Sequence, residues 1–216
     1  MVSSVNFSMF QGVKDGFEPF VELSFPIRGR SLPADHGYGL YASLVHLFPT
    51  LREQSQLSIL TIPGIPDKQG KIFLTEQSCL RIRVPVPKIP LVYPLAGKKV
   101  TIGNHEVHFG IPTVSVLRPV STLKARIVTL KGYMEADFFL AAVRRQLDNL
   151  GIAGQLSIPL NRDRTLSRKT IKIKHHTIVG FTTEVTGLND EGSLKLQEYG
   201  LGGKRRMGCG VFVGKK

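Results

Sequence analysis

Short segments in which apolar and polar residues alternate predict strands throughout the first half of the chain. These segments cover residues 20–26, 56–62, 71–74, 80–84 and a hairpin over 99–109. Between the first two segments, apolar residues recur at helical spacing, namely Leu40, Leu44, Leu47 and Phe48. Asp35 is a favourable N-cap residue before them and Pro49 follows them. We therefore expect a helix between the first two strands.

The second half repeats this order of elements. Its predicted strands cover 122–130, 156–160, 170–184 and 211–213, and its predicted helices cover 135–150 and 190–199. The longer helix has Phe139, Val143 and Leu147 on one face, and a short helix near 95–97 completes the first half. Strand, helix, two strands, helix, strand is the order of a ferredoxin-like unit. We expect an α+β fold with two tandem ferredoxin-like (RRM-like) domains, residues 1–113 and 114–216.

The composition is that of a folded and strongly basic protein. Hydrophobic residues make up 42% and charged residues 21% of the chain, which excludes a disordered protein. The net charge of +13 indicates RNA, DNA or an anionic membrane as the partner. No run reaches the ~18 apolar residues of a spanning helix, and the N-terminus lacks a secretory pattern. We therefore expect a cytoplasmic protein with no membrane partner. Cys79 and Cys209 are far apart and indicate neither a disulfide nor a zinc site.

Most of the positive charge lies in the second half. Residues 1–113 contain 11 basic and 8 acidic side chains, whereas residues 114–216 contain 18 and 8. No acidic residue occurs between Arg164 and Thr183. The candidate RNA-binding residues in this region are Arg162, Arg164, Arg168, Lys169, Lys172, Lys174 and His175. Because Lys172 and Lys174 alternate with isoleucines, we expect one face of their strand to pack and the other to contact RNA. A merely solvated charged face is the alternative.

A glycine-rich run at residues 200–210 precedes the last predicted strand. Glycines allow tight turns and a close approach of the backbone to a ligand. Three consecutive cations in the same run favour a polyanion, and exposed amide groups suit phosphates. We expect this loop to bind nucleic acid through Gly200, Gly202, Lys204, Arg205, Arg206, Gly208 and Gly210.

The spacing in this run resembles that of the CRISPR-associated repeat-processing endoribonucleases of the repeat-associated mysterious protein superfamily. Their hallmark is Gly-hydrophobic-Gly, five residues with at least one cation, and Gly-x-Gly. This chain has 200–202, 203–207 and 208–210 in those places. The segment 28–41, with Asp35 and His36, resembles the first strand-to-helix junction of a Myxococcus-type and cyanobacterial subgroup. Some members of that subgroup serve CRISPR-associated transposons.

The resemblance implies an endoribonuclease that cleaves CRISPR precursor RNA within the repeat hairpin, without a metal or cofactor. The ribose 2′-hydroxyl would attack its own 3′-phosphate and leave a 2′,3′-cyclic phosphate and a 5′-hydroxyl. The protein would supply a base, an acid and a cation. It would keep the mature CRISPR RNA, alone or within a Cascade-like effector or a transposon-associated complex.

The resemblance also implies a histidine base near the first helix, and His36 is the main candidate. We expect it in the first helical turn, where the helix dipole opposes protonation of the imidazole. Gly37 and Gly39 beside it would let RNA approach. His46, two turns further on and near Arg52, is the alternative base, because some relatives place the catalytic histidine there.

The other candidate catalytic residues have less specific signals. Tyr38 and Tyr41 are candidates to position the phosphate or act as the acid, with packing as the alternative. Arg28 and Arg30 are candidates to stabilise the phosphorane, with solvated loop charges as the alternative.

Two further functions compete with the repeat endoribonuclease. The first is a non-catalytic CRISPR RNA-binding subunit of an effector or transposon complex. The second is a basic ribosomal or RNA-chaperone protein, which would bind many RNAs with similar salt dependence and without preference for a hairpin.

Overall fold

The structure is a computed structural model that describes residues 18–214. Its strands are β1 (Phe20–Gly29), β2 (Ser31–Pro33), β3 (Ser58–Ile59), β4 (Ile65–Pro66), β5 (Lys71–Phe73), β6 (Cys79–Pro85), β7 (Lys99–Ile102), β8 (His105–Phe109), β9 (Thr113–Val116), β10 (Thr122–Val128), β11 (Gln155–Ser157), β12 (Arg168–Ile173), β13 (His176–Thr186) and β14 (Phe212–Gly214). Its α-helices are α1 (Gly37–Leu47), α2 (Ile89–Val92), α3 (Ala136–Asn149) and α4 (Asp190–Tyr199). None of these helices is long and apolar enough to span a lipid bilayer.

The first domain is built on an antiparallel sheet in the order β3-β6-β1-β8-β7. β1 is its central strand, and its long edge is shared by β8 at residues 27–29 and by β9 at residues 21–24. Helices α1 and α2 pack on this sheet through a core that includes Leu23, Phe25, Leu40, Leu44 and Phe109. A small sheet of β2, β5 and β4 is appended to it.

The second domain repeats the arrangement with the order β11-β13-β10-β14. Its separate core includes Leu123, Phe139, Val143, Leu196 and Phe212, which come from β10, α3, α4 and β14. The N-terminal part of β13 continues past the end of β10 and pairs with β12, from Ile173↔His176 to Arg168↔Phe181. This pair of strands, with the turn at 174–175, is called the basic hairpin below.

Both sheets therefore have the strand order of the ferredoxin-like unit, and the predicted tandem α+β fold is confirmed. In each domain the strand after the first helix (β3 or β11) lies at one edge of the sheet. Next to it come the third strand of the unit (β6 or β13), the first strand (β1 or β10) and the last strand (β8 or β14). The first sheet continues to Val116 because β9 pairs with β1. Residues 113–116 thus extend the first sheet slightly beyond the expected boundary at residue 113.

A buried arginine joins the two domains. Arg83 on β6 is only 3% exposed, and its Nε donates to Glu22 Oε2 at 2.8 Å. Its Nη1 donates to the carbonyl oxygens of Gln197 and Phe212 in the second domain. This buried guanidinium therefore links the two domains through charge-assisted hydrogen bonds.

Candidate active site

The start of α1 packs directly on the glycine-rich loop. A Cβ at Gly37 would collide with the carbonyl oxygen of Met207, so only glycine allows this approach. Within the loop, Gly200, Gly202, Gly208 and Gly210 have positive φ and are each closely surrounded by protein atoms. Gly203 alone among the glycines of the loop has open space at its Cβ position. Packing within the protein therefore accounts for four of the five glycines.

His36 does not lie where an accessible base would lie. It occupies the N-cap position of α1 and is 2% exposed. The backbone N–H of Ile62 donates to Nε2 at 2.9 Å, and Nδ1 lies 2.9 Å from the carbonyl oxygen of Pro33. Since an N–H can only donate and a carbonyl can only accept, the proton must be on Nδ1. The lone pair on Nε2 is then already used.

The expectation of an accessible His36 is therefore wrong, and the reason is burial. Burial lowers the pKa of His36, and the charge of Arg126 lowers it further. The hydrogen bond that Nδ1–H donates to the Pro33 carbonyl and the charge of Asp35 act in the opposite direction. The imidazole stays neutral, as expected, but desolvation rather than the first turn of the helix is the main cause.

Asp35 also differs from its expected role as N-cap. No side chain caps the N-terminus of α1. Instead, Oδ2 of Asp35 accepts a hydrogen bond from the backbone N–H of Lys172 at 2.6 Å. This bond fastens the basic hairpin of the second domain to the start of α1 in the first domain.

His46 lies at the other end of α1 and is exposed. It lines an open cavity of about 560 Å³. The other lining residues are Tyr38, Tyr41, Ala42, Val45, Pro49, Arg52 and Glu53. The cavity thus brings together one imidazole, two phenols, a guanidinium and a carboxylate from α1 and the 3₁₀ turn Pro49–Glu53. We call it the His46 cavity.

Two cations of the glycine-rich loop reach the first domain beside this cavity. The guanidinium of Arg206 lies 5.3 Å from the ring centroid of Tyr41 and donates to the carbonyl oxygens of Leu51 and Arg52. Arg205 donates to the carbonyl oxygens of Ser55 at 2.8 Å and Tyr199 at 2.7 Å. Both side chains are half-buried, and both donate hydrogen bonds to backbone carbonyl groups of the protein. Lys204 is exposed, with a φ of 63°.

The candidate arginines before α1 lie apart from these groups. Arg28 pairs with His108 across β1 and β8, and Arg30 follows the end of β1. Both are exposed, and neither lines the His46 cavity. The structure therefore brings Tyr38 and Arg52 to His46 but does not bring Arg28 or Arg30 there.

The basic hairpin presents its charges to solvent. Arg168, Lys169, Lys172, Lys174 and His175 of the hairpin are all exposed, as are Arg162 and Arg164 in the connection before it. Ile171 is buried and packs with Ile127 and Cys209 under the hairpin. Lys174 differs from the expected alternation, because it lies in the turn with a φ of 54° rather than on the strand. The strand positions before it follow the expected pattern of packed isoleucine and exposed lysine.

Arg126 is a candidate residue that the sequence did not indicate. It is exposed on β10, and its charge lowers the pKa of both His36 and Cys209. It therefore lies where the two domains and the basic hairpin meet. The only signal in the sequence was its outward position between Ala125 and Ile127 in a predicted strand.

Comparisons with known proteins agree with this arrangement. The sequence model of the family described as Cas6 Crispr matches residues 21–216. The CRISPR-associated endonuclease Cas6 of Myxococcus xanthus (strain DK1622) is 34% identical over 194 residues, which cover 90% of this chain and 81% of that protein.

Solved structures give the same fold. A CRISPR-associated protein Cas6 superposes with a TM-score of 0.63 at 11% identity, over 92% of this chain and 99% of that one. The product of a Cas6-related gene from Pyrococcus furiosus superposes with a TM-score of 0.59 at 15% identity, over 90% of this chain and 97% of that one. The family match spans nearly the whole chain, and the predicted family is confirmed. This chain belongs to the Cas6 family.

Proposed function

We propose that this protein cleaves CRISPR repeat RNA within a hairpin by attack of a ribose 2′-hydroxyl on the adjacent phosphate, without a metal ion. Membership of a family with a curated endonuclease supports the enzymatic part of this proposal. The observation that carries the mechanism is the His46 cavity, where an exposed imidazole lies with Arg52, Tyr38 and Tyr41 next to the glycine-rich loop.

His46 is the general base in this proposal. Its imidazole is exposed to the cavity, whereas both ring nitrogens of His36 are occupied by backbone groups. A base must come within hydrogen-bond reach of the proton that it removes. His46 meets that requirement for a ribose in the cavity. His36 is a structural residue that ties the start of α1 to the segment at Ile62.

Cations beside the base would stabilise the charge that develops on the phosphorane. Arg52 lines the cavity, and Arg206 reaches its edge over Tyr41. Preorganised cations of this kind lower the barrier because they need no reorganisation during the reaction. Tyr38 and Tyr41 form the wall against which the scissile phosphate would be positioned. The products would be a 2′,3′-cyclic phosphate and a 5′-hydroxyl.

The basic hairpin would hold the stem of the RNA. Its cations lie on a protruding two-stranded ribbon that is fastened to α1 through Asp35. A-form RNA is recognised chiefly through its shape and phosphates, which suits such a surface. Tight binding of the stem would also keep the mature CRISPR RNA on the protein for transfer to, or retention in, an effector or transposon-associated complex.

The test is cleavage of a labelled CRISPR repeat hairpin in buffer with EDTA. We expect a single cut, a product that phosphatase cannot dephosphorylate at its 3′ end until acid opens the cyclic phosphate, and no cut when the scissile ribose is 2′-deoxy. Tight binding with no cleavage would instead support a non-catalytic CRISPR RNA-binding subunit. Equal binding of the hairpin and of unrelated RNAs would favour a general RNA chaperone.

A further inference from the structure

The second domain has a cavity of its own, separate from the His46 cavity. Its volume is about 660 Å³, within the usual range for small-molecule sites. Four parts of the chain form it, namely the loop after β10 (within residues 129–134), Gln146 of α3, the stretch 177–179 of β13, and residues 202–204 of the glycine-rich loop. We call it the β13 cavity.

The cavity exists because β10 and β13 separate. Their pairing has a register shift between Ala125 and Val128, and its last pair is Val128↔Phe181. Beyond that point β13 continues to His176, and within residues 18–214 it pairs only with β12 there. The other edge of residues 177–179 is therefore without a partner strand among the described residues, and these three residues line the cavity.

The lining combines an apolar surface with cations. Leu130, Met134 and Ile178 supply apolar surface, and Met134 is 56% exposed. Lys131 and Lys204 lie at the cavity as well, and both are exposed. No acidic residue lines it. These features together suit a nucleotide, because its base can pack on apolar side chains, its base edges can bond to polar groups and its phosphate can pair with cations.

Gly203 leaves space for such a ligand. A Cβ at this position would have no protein atom within 4 Å, and its φ is not in the left-handed region. Neither packing nor backbone conformation therefore requires a glycine here. A side chain would instead extend into the free space beside the cavity, which makes Gly203 a position where ligand binding can be blocked without strain.

We propose that the β13 cavity binds one unpaired nucleotide next to the RNA hairpin. This inference rests on the proposed function for its RNA hairpin, since residues 177–179 of the cavity belong to the β13 strand of the basic hairpin that would hold the stem. The paired stem would extend along the basic hairpin, and the first unpaired nucleotide beyond it would enter the cavity.

The experiment uses three RNAs, all with 2′-fluoro ribose to prevent cleavage. They are a blunt hairpin, the same hairpin with four unpaired nucleotides at its 5′ end, and the same hairpin with four unpaired nucleotides at its 3′ end. Fluorescence anisotropy measures binding to the wild-type protein and to Gly203→Leu, Met134→Gln and Ile111→Gln. Ile111 is 75% exposed in the first domain and does not line the cavity, so Ile111→Gln is the matched control for Met134→Gln.

We expect a flank on one of the two sides to strengthen wild-type binding about tenfold, because the base buries apolar surface against Leu130, Met134 and Ile178. Gly203→Leu should lose this gain while binding the blunt hairpin like wild type, and Ile111→Gln should keep it. Met134→Gln should reduce the gain in affinity from the flank. If Gly203→Leu fails to fold, the affinities of Met134→Gln test the inference in its place. A 5-iodouridine in the flank should cross-link to residues 129–134 or 202–204.

Equal wild-type binding of the blunt hairpin and of both flanked hairpins would overturn the inference and leave the proposed function intact. If the protein does not select hairpin RNA at all, the proposed function fails. An unstructured RNA hexamer then tests the cavity separately. Hexamer binding that Gly203→Leu weakens about tenfold would support the cavity, and hexamer binding that Gly203→Leu leaves unchanged, or no hexamer binding, would overturn it.

Discussion

The backbone N–H of Ile62 donates a hydrogen bond to Nε2 of His36 at 2.9 Å. This bond uses the one lone pair with which the imidazole could accept a proton. It also joins the N-terminus of α1 to the segment between β3 and β4, across the first domain. His36 is consequently required to be neutral in the folded protein, and this requirement has measurable consequences.

Acid should destabilise the protein through His36. Burial lowers the pKa of His36 from its usual 6.5, so below pH 6.5 the unfolded chain takes up a proton that the folded protein does not. The free energy of unfolding then falls with falling pH, by up to about 1.4 kcal/mol per pH unit, until the folded-state pKa is reached. Urea unfolding of wild type and His36→Gln between pH 7.5 and 5 measures the difference.

His36→Gln should be less stable at pH 7.5 by about 1–3 kcal/mol because buried backbone groups lose a partner, and its pH dependence should be flatter. His175→Gln is the control, since His175 is exposed in the turn of the basic hairpin. Parallel pH curves for wild type and His36→Gln would contradict the assigned neutral state.

Cleavage should depend on His46 far more directly than on His36. His46→Ala removes an exposed side chain, so we expect unchanged thermal stability and RNA binding but a rate of cleavage lower by about 10²–10⁴-fold, as for loss of a general base. Single-turnover cleavage of a repeat hairpin with excess enzyme measures the rate.

His36→Gln is the comparison within the same helix. Its cleavage rate should recover when temperature is lowered to restore folding, whereas that of His46→Ala should not. Full activity of His46→Ala would remove His46 from the mechanism.

Much of the fold could be predicted from the sequence, because each half has one strongly amphipathic helix between alternating strands. The face of α3 with Phe139, Val143 and Leu147 is buried as its spacing predicts. The bounds of short strands were less predictable. Residues 56–62 are predicted as one strand, but the strand in the structure is only Ser58–Ile59, with one more bond to β6 from Leu60 N–H to the Arg81 carbonyl. Ile62 donates to His36 instead.

The candidate site was harder to predict, because its contacts link residues that are far apart in the chain. The Asp35-His36 pair at a helix start is equally compatible with an exposed base and a buried structural histidine. The choice depends on Ile62 and Lys172, whose backbone groups bind these side chains. Likewise, nothing local shows that Arg205 and Arg206 donate to carbonyl groups of residues 51–55.

The interface between the domains should depend on Arg83. Arg83→Ala leaves the carboxylate of Glu22 and two carbonyl oxygens without their donor, and we expect a loss of about 3–5 kcal/mol in the free energy of unfolding. Arg81 is the matched control, because it also pairs with Glu22, at 3.6 Å, but is much more exposed. Arg81→Ala should cost less than about 1 kcal/mol. Similar losses for both variants in urea unfolding would argue against this interface.

The contact between α1 and the glycine-rich loop should tolerate no side chain at residue 37. A Cβ at Gly37 collides with the backbone of Met207, which cannot move away like a flexible side chain. Gly37→Ala should therefore lower both the thermal midpoint and the cleavage rate. Gly39→Ala is the control in the same helix, since its Cβ would meet only a side-chain methyl group of Ile102 at 3.2 Å. Because alanine favours helices over glycine by about 1 kcal/mol, Gly39→Ala should be close to neutral.

The basic hairpin should determine how RNA binding depends on salt. Each lysine that neutralises a phosphate releases a counterion, which adds about 0.7–0.9 to the slope of log K against log salt concentration. Replacing Lys169, Lys172 and Lys174 with alanine should therefore reduce this slope by about 2–3 and leave the folded protein as stable as before, because all three side chains are exposed. Titration of a repeat hairpin at several salt concentrations measures the slope. Lys68→Ala, exposed in the first domain, should not change it. An unchanged slope in the triple variant would place the RNA on another surface, and Arg126 together with Lys131 would then be the cations to replace next.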